Sequence, residues 1–182
     1  MGESQHPLHA KLIIALTSNI SELFVKAQQV LEEQFGPIDL KSKSYPFTFS
    51  NYYAKEMGPH LQKQIVSFEK LIDKGMLAQV KLTTNEMEKT FSLPSRQGYQ
   101  RQMNIDPGYL TNSKLVLAST KNFSHRIYIG SGIFAEITLR YFRERGFEPL
   151  EWTYPDYCTP LVRDYLQLVR IHYMRQLRSS DC

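Results

Sequence analysis

NIDPGYLTNSKLVLASTKNFSHRIYIGSGIFAEITLR, residues 104–140, is the stretch on which the reading of the fold turns. Its opening Asn-Ile-Asp-Pro-Gly holds residue types that make tight turns, so a strand-ending turn is expected there. Thr111 then stands as the N-cap of a helix over 112–119, with Lys114 one turn inside it. Further on, two apolar-rich runs flank Gly130-Ser131-Gly132, which predicts a β-hairpin. A three-residue loop sets Ile129 opposite Ile133, Ile127 opposite Ala135 and His125 opposite Ile137 on one face. The other face carries Tyr128 beside Phe134 and Arg126 beside Glu136. A one-residue slip would mix apolar and polar on each face, and this selects the register.

The same stretch gathers both charge signs on regular elements: Asp106, Lys114, Lys121, His125, Arg126 and Glu136, with Tyr128 among them. Backbone N–H groups at the start of a helix, helped by Lys114, suit an anion. Asp106 fits a base, a ligand to a metal-bound water or an acceptor for a ribose hydroxyl. Lys121, His125 and Arg126 read either as cations closing a helix C-terminus or as an anion clamp.

Upstream, residues 11–16 (KLIIAL) read as a buried strand. Asn19 and Glu22 form a capping-box pattern before Ile20, Leu23, Phe24, Ala27, Val30, Leu31 and Phe35, which recur at helical spacing until Gly36-Pro37 ends them. Residues 38–49 look extended, with Pro46 limiting them to a sheet edge or a bend. Leu61, Ile65, Phe68, Leu71 and Ile72 predict a second amphipathic helix over 59–74, closed by Gly75. A strand over 78–82 and a short helix from Asn85 to Phe91 follow, and 94–101 reads as a mobile loop. Thr159-Pro160 opens a long C-terminal helix carrying Leu161, Tyr165, Leu168, Val169 and Tyr173. Two aromatic loops, 52–58 and 152–157, read as packed turns, or as a ligand lid and a stacking surface respectively. The order β-α-β-β-α-β, then a helix and a late hairpin, predicts one α/β domain over 11–178. It is an α+β sandwich with a mixed or largely antiparallel sheet flanked by amphipathic helices, a frayed 1–10 segment and a tail at 179–182.

Composition narrows the class. At 182 residues, 42% hydrophobic and 22% charged, the chain matches an ordinary globular domain. Net charge +4 is mild for a nucleic-acid binder, although arginine dominates the second half. Apolar runs are too short for a membrane span, and the start of the chain shows no signal-peptide pattern. Only two cysteines occur, Cys158 and Cys182, which points to a reducing cytoplasm and away from a disulfide or cysteine–zinc scaffold. The chain contains no GxxxxGK[ST], dinucleotide fingerprint, GxSxG or HExxH, and His6 and His9 have HxxH spacing in the segment read as frayed. No metal site is expected, and no cofactor can be named.

The strings PIDLKSKSYPFTFSNYYAKEMG, SFEKLID, KLTTNEME, NIDPGYLTNSKLVLASTK, HRIYIGSGIFAEITL and WTYPDY resemble the uncharacterised prokaryotic family known as domain of unknown function 4416. The resemblance runs from about Lys11 to Tyr173. It implies no established activity. Some members carry a GTP-binding label, but this chain has neither the Walker lysine loop nor NKxD, so nucleotide binding would need another route.

Three functions are expected in order. The first is binding of a phosphorylated small molecule or nucleotide, with Asp106, Thr111 and Lys114 on one side and Lys121, His125, Arg126, Tyr128 and Glu136 on the other. The second is a phosphate-ester hydrolase or transferase with Asp106 or Glu136 as base and Lys114 or Arg126 stabilising charge. The third is an RNA- or protein-binding module built on Arg140, Arg143, Arg145 and the rings of Trp152, Tyr154 and Tyr157.

Overall fold

Strand β1 (Ala10–Ser18) is buried at every residue. In a computed structural model describing residues 2–3, 7–49, 54–95 and 98–180, it runs through the middle of the sheet. The remaining elements are α1 (Ser21–Phe35), β2 (Ile38–Lys41), β3 (Tyr45–Pro46), the single turn α2 (Ala54–Met57), β4 (Gln62–Ile72), α3 (Leu77–Thr90), β5 (Leu93–Ser95), β6 (Gly98–Gln100), β7 (Asn104–Leu110), β8 (Lys114–Ser119), β9 (Ile127–Gly130), β10 (Ile133–Phe142), β11 (Gly146–Pro149) and α4 (Pro160–Ser180). Short 3-10 turns, Lys74–Met76 and Pro155–Cys158, lead into α3 and α4. The nine-stranded sheet has the order β11-β10-β8-β7-β1-β4-β2, with β3 on β4 and β9 on β10, and its pairs are antiparallel. This is the largely antiparallel α+β domain that the sequence predicts.

Alternation along β1 builds both layers. Leu12, Ile14 and Leu16 pack with Phe24, Ala27 and Leu31 of α1 and with Val80 and Met87 of α3. Ile13 and Ala15 face the other way, toward Val162, Leu166, Val169 and Tyr173 of α4. A sheet covered on both faces needs near-continuous apolar strands, which is why KLIIAL shows no alternation. Lys11, fully buried on the α4 side, is paired with Asp39 and donates to Gln176 at 2.7 Å. Burial lowers the Lys11 pKa even with Asp39 alongside.

Helix α1 ends where predicted: Gly36, at φ 90°, donates its N–H to the Glu32 carbonyl at 2.9 Å. Its start differs, because Ile20 holds the N-cap position with no side-chain cap and the Asn19–Glu22 box does not form. Helix α4 begins at Pro160 behind Thr159, as expected.

Several segments change class. The helix predicted over 59–74 is strand β4. There Ile65 and Val66 face opposite layers, and an irregularity opposite Lys11–Ile13 shifts the phase. A doubly buried, bulged strand imitates helical spacing. The strand predicted over 78–82 and the short helix after it are one helix, α3. Its buried stripe includes Lys81, Thr84 and Glu88, so polar residues conceal the apolar period. Residues 94–101, read as a mobile loop, contribute to a β5–β6 ribbon, with 96–97 outside the described residues.

Residues 104–119 also change class. NIDPGYL is strand β7 itself, and 112–119 is strand β8 after a turn, with no helix. Thr111 does use its cap chemistry, accepting the N–H groups of Ser113 (3.3 Å) and Lys114 (3.2 Å), but the product is a β-turn. The hairpin pairs Tyr128 with Phe134 and Ile127 with Ala135 as expected. However, Gly130 pairs with Ile133 and the irregularity falls after it, so the three-residue loop is a tighter turn with a bulge. Ile127 and Tyr128, on opposite faces of β9, are both exposed, whereas in β10 Glu136 and Thr138 are buried and Ile137 is exposed, so beyond the turn the polar side of β10 looks inward.

Strands β7 and β8 pair only from Gly108–Leu117 to Leu110–Leu115, although β7 starts at Asn104 and β8 runs on to Ser119. Pro107 has no N–H to give, and the ladder ends beside it. At Gly108 the backbones come so close that a Cβ would lie 2.3 Å from the Val116 carbonyl oxygen. The strands touch there and then part. Gly108→Ala is expected to destabilise the fold by roughly 1–3 kcal/mol through overpacking. Urea unfolding should show a lower midpoint, and an unchanged midpoint would mean that β8 yields freely.

Candidate functional site

The parting of β7 from β8 would leave the Ile105 peptide groups without ladder partners on that side. Helix α3 supplies them. Glu88 Oε1 accepts the Ile105 N–H at 2.7 Å, and Lys81 Nζ donates to the Ile105 carbonyl at 3.2 Å. Lys81 also meets Asp106 Oδ1 at 2.9 Å, and the Asn104 amide donates to Asp106 Oδ2 at 2.6 Å. Asp106 sits opposite Ala15 of β1, on the face turned toward α4. Lys81 therefore reaches from the α3 layer through the gap between the strands.

A cavity of about 400 Å³ occupies this gap. Its α3 side carries Lys81, Asn85 and Glu88, and its β7 side carries Arg101, Asn104 and Asp106. Arg101 bridges Glu88 (3.1 Å), Asn104 (2.8 Å) and Glu56 (2.7 Å). The far wall is the end of β8 with Ser119, Thr120 and Lys121, together with Arg126 and Glu136. Arg126 Nε donates to Glu136 Oε2 at 2.7 Å, Nη1 to Ser119 Oγ and the Lys121 carbonyl, and Nη2 to the Tyr154 hydroxyl at 2.8 Å. His125 Nε2 lies 2.9 Å from the same Glu136 oxygen and stacks on Trp152. On the α4 side, Lys63 pairs with Asp156 at 2.6 Å and lies over the Phe47 and Tyr157 rings.

The environment separates two carboxylates. Burial raises the Glu88 pKa, aided by Asp106 and opposed by Lys81, the Ile105 N–H and Arg101. Burial also pushes Asp106 upward, but Lys81, Lys63 and the Asn104 amide outweigh it and hold the pKa below its ordinary value. Burial, Glu136 and Asp106 raise Tyr154 against Arg126, so its phenol stays protonated while it accepts from Arg126.

Of the residues singled out in the sequence, Asp106, Lys121, Arg126 and Glu136 line this one cavity, and His125 sits behind Glu136. Thr111 and Lys114 occupy the β7–β8 turn at the opposite end of those strands. Tyr128 is exposed on β9, its hydroxyl accepting the Gly132 N–H at 3.4 Å. The sequence reading missed Lys63, Lys81, Asn85 and Glu88. The signal was available as a polar stripe at positions 81, 84, 85 and 88, spaced for one face of a helix. Among the described residues no group of three or more His, Cys, Asp or Glu side chains could hold a metal ion. His6, Tyr52 and Tyr53 lie outside the described residues. No helix among the described residues is long and apolar enough to cross a membrane.

The chain belongs to the family described as Domain of unknown function (DUF4416), which matches residues 8–173. No curated protein and no solved structure matches it.

The two carboxylates give opposite pH dependences. Asp106, lowered, contributes stability that is present above its ordinary value of 3.8 and lost as pH falls through the folded value. Glu88, raised, contributes stability that is present below its ordinary value of 4.5 and lost as pH rises through the folded value. The advantage of the wild type over Asp106→Asn should therefore shrink in acid, and its advantage over Glu88→Gln should shrink toward neutrality. At pH 7 Asp106→Asn is expected to cost about 2–3 kcal/mol, somewhat below the value for a fully buried pair. Urea unfolding of the three proteins between pH 3 and 7 checks both signs, and parallel curves would refute the assignment.

Proposed function

We propose that this DUF4416 chain binds a phosphorylated small molecule, a nucleotide among the candidates, in the cavity between β7 and β8. One observation carries the reading: cationic and polar side chains from α3, β4, β7, β8 and the β8–β9 connection converge on a single, partly open cavity. Its volume of about 400 Å³ suits a small metabolite. Arg126, fixed by Glu136, Ser119 and Tyr154, is the preorganised guanidinium for a phosphate, with Lys121 beside it. In this reading Glu136 orients Arg126. The low cysteine count supports a cytoplasmic setting for such a binder.

A second reading, hydrolysis or transfer at a phosphate ester, is favoured by the Glu88–Asp106 pair. Two neighbouring carboxylates with pKa values pushed apart are suited to act as acid and base. Asp106 would take a proton, Glu88 would return one, and Arg126 would stabilise developing charge. The RNA-binding reading has less support, because Arg140 and Arg145 stack on Phe142, Arg170 on Tyr141 and Trp152 on His125.

A thermal-shift screen with nucleotides and sugar phosphates tests binding. A ligand at a hundred times its Kd should add about 2.7 kcal/mol, or roughly 5–10 °C in Tm for a domain of this size. Arg126→Ala should abolish the shift, and a wild type unmoved by every phosphorylated compound would sink the proposal. If the protein turns over a phosphate ester, Asp106→Asn should lower kcat by about 100-fold or more.

A further inference from the structure

Tyr157 is 1% exposed, lines the cavity, and its hydroxyl has no hydrogen-bond partner among the described residues. A buried hydroxyl left unpaired is costly, and native structures rarely keep one without a purpose. The groups around it are already committed. Asp156 Oδ2 accepts from both Lys63 (2.6 Å) and Tyr45 (3.2 Å). The Lys63 ammonium lies 4.7 Å from the centre of the Tyr157 ring, which draws electron density from the phenol and strengthens its O–H as a donor.

Resting on the phosphate-binding reading above, we infer that this inner end of the cavity recognises the hydroxylated part of the ligand. Tyr157 donates to a ligand oxygen, and the ligand is a phosphorylated sugar, free or as the ribose phosphate of a nucleotide. The charge layout divides the cavity. Asp106 and Asp156, each paired with a lysine (Lys81 and Lys63), stand at the Tyr157 end and offer carboxylate oxygens that accept hydrogen bonds from sugar hydroxyls. Arg126 and Lys121 stand on the β8 wall, which suits the phosphate. Burial, with Asp156 and Asp106 nearby, pushes the Tyr157 pKa well up, so the phenol remains a donor at all ordinary pH. The Asp106 side chain, 32% exposed, keeps lone pairs available beside its bonds to Lys81 and Asn104. A hydroxyl that accepts from Tyr157 and donates to a carboxylate uses both of its hydrogen-bonding roles.

Calorimetric titration of the full chain with inorganic phosphate, ribose 5-phosphate, 2-deoxyribose 5-phosphate and AMP tests this. The wild type should prefer ribose 5-phosphate over inorganic phosphate by about tenfold or more, since several added hydrogen bonds distinguish them. Tyr157→Phe removes only an unpaired hydroxyl and should fold with an unchanged or slightly higher Tm. It should lose roughly 3–10-fold in sugar-phosphate affinity while its affinity for inorganic phosphate stays the same. Comparable affinity of AMP and ribose 5-phosphate would assign the recognised group to the sugar phosphate alone, and tighter AMP binding would assign it to a nucleotide. Sugar phosphates binding the wild type no better than inorganic phosphate, or binding Tyr157→Phe as tightly as the wild type, would overturn the inference and leave the anion site standing. Failure of every phosphorylated probe to bind the wild type would instead overturn the phosphate reading, and this inference with it.

Discussion

The close contact of β7 with β8 at Gly108, and its release one residue earlier, is the constraint on which the rest of the site depends. Backbone meets backbone where no side chain fits, with Val116 O too near for any Cβ. Pro107 then withholds a donor, and the strands part. A sheet opened in its interior exposes peptide groups that cannot be left unpaired. Helix α3 lies against the gap, and Lys81 and Glu88 hydrogen-bond Ile105 in place of a strand. The cavity is the space left by that substitution, so the polar stripe of α3 serves the fold and the candidate site together.

Charges gathered where water is largely excluded must be paired, because the desolvation cost of a lone buried ion exceeds what packing returns. Ion pairs among the described residues surround the cavity, including Lys63–Asp156, Lys81–Asp106, Arg101–Glu88 and Arg126–Glu136. Each partner comes from a different element, so the pairs hold the lining side chains in place as well as balancing charge. Arg126 shows this best, since its guanidinium joins the end of β8, strand β10 and the loop before α4. The Lys11–Asp39 pair, away from the cavity, has the other role of a buried ion pair, tying β1 to β2 and, through Gln176, to α4.

Elements whose burial is one-sided or total were legible. Helices α1 and α4 show an apolar stripe with a stop at Gly36 or a start at Thr159-Pro160, and residues 12–16 of β1 form an unbroken apolar run. Misreadings fell where two signals competed. In β4, burial on both faces plus a bulge produced a helical spacing of apolar residues. In α3, a buried polar stripe erased the helical pattern. In β7, Pro and Gly, usually marks of a turn, serve inside a strand as the end of a ladder and a point of close approach. Thr111 has the same hydrogen-bonding chemistry in a β-turn as at a helix start, so its type alone did not choose between them.

The sequence by itself determined the α+β class, the buried strand at residues 11–16, the long C-terminal helix and the concentration of charge in residues 104–140. These follow from local patterns of apolar and polar residues, which act over a few turns of chain. Only the tertiary structure decided that Asp106, Lys121, Arg126 and Glu136 share a cavity with Lys81 and Glu88, while Thr111 and Lys114 stand at the other end of the same strands. That outcome depends on strand order and on where a ladder stops. Both are set by long-range packing of β7 between β1 and β8, and no local pattern encodes them.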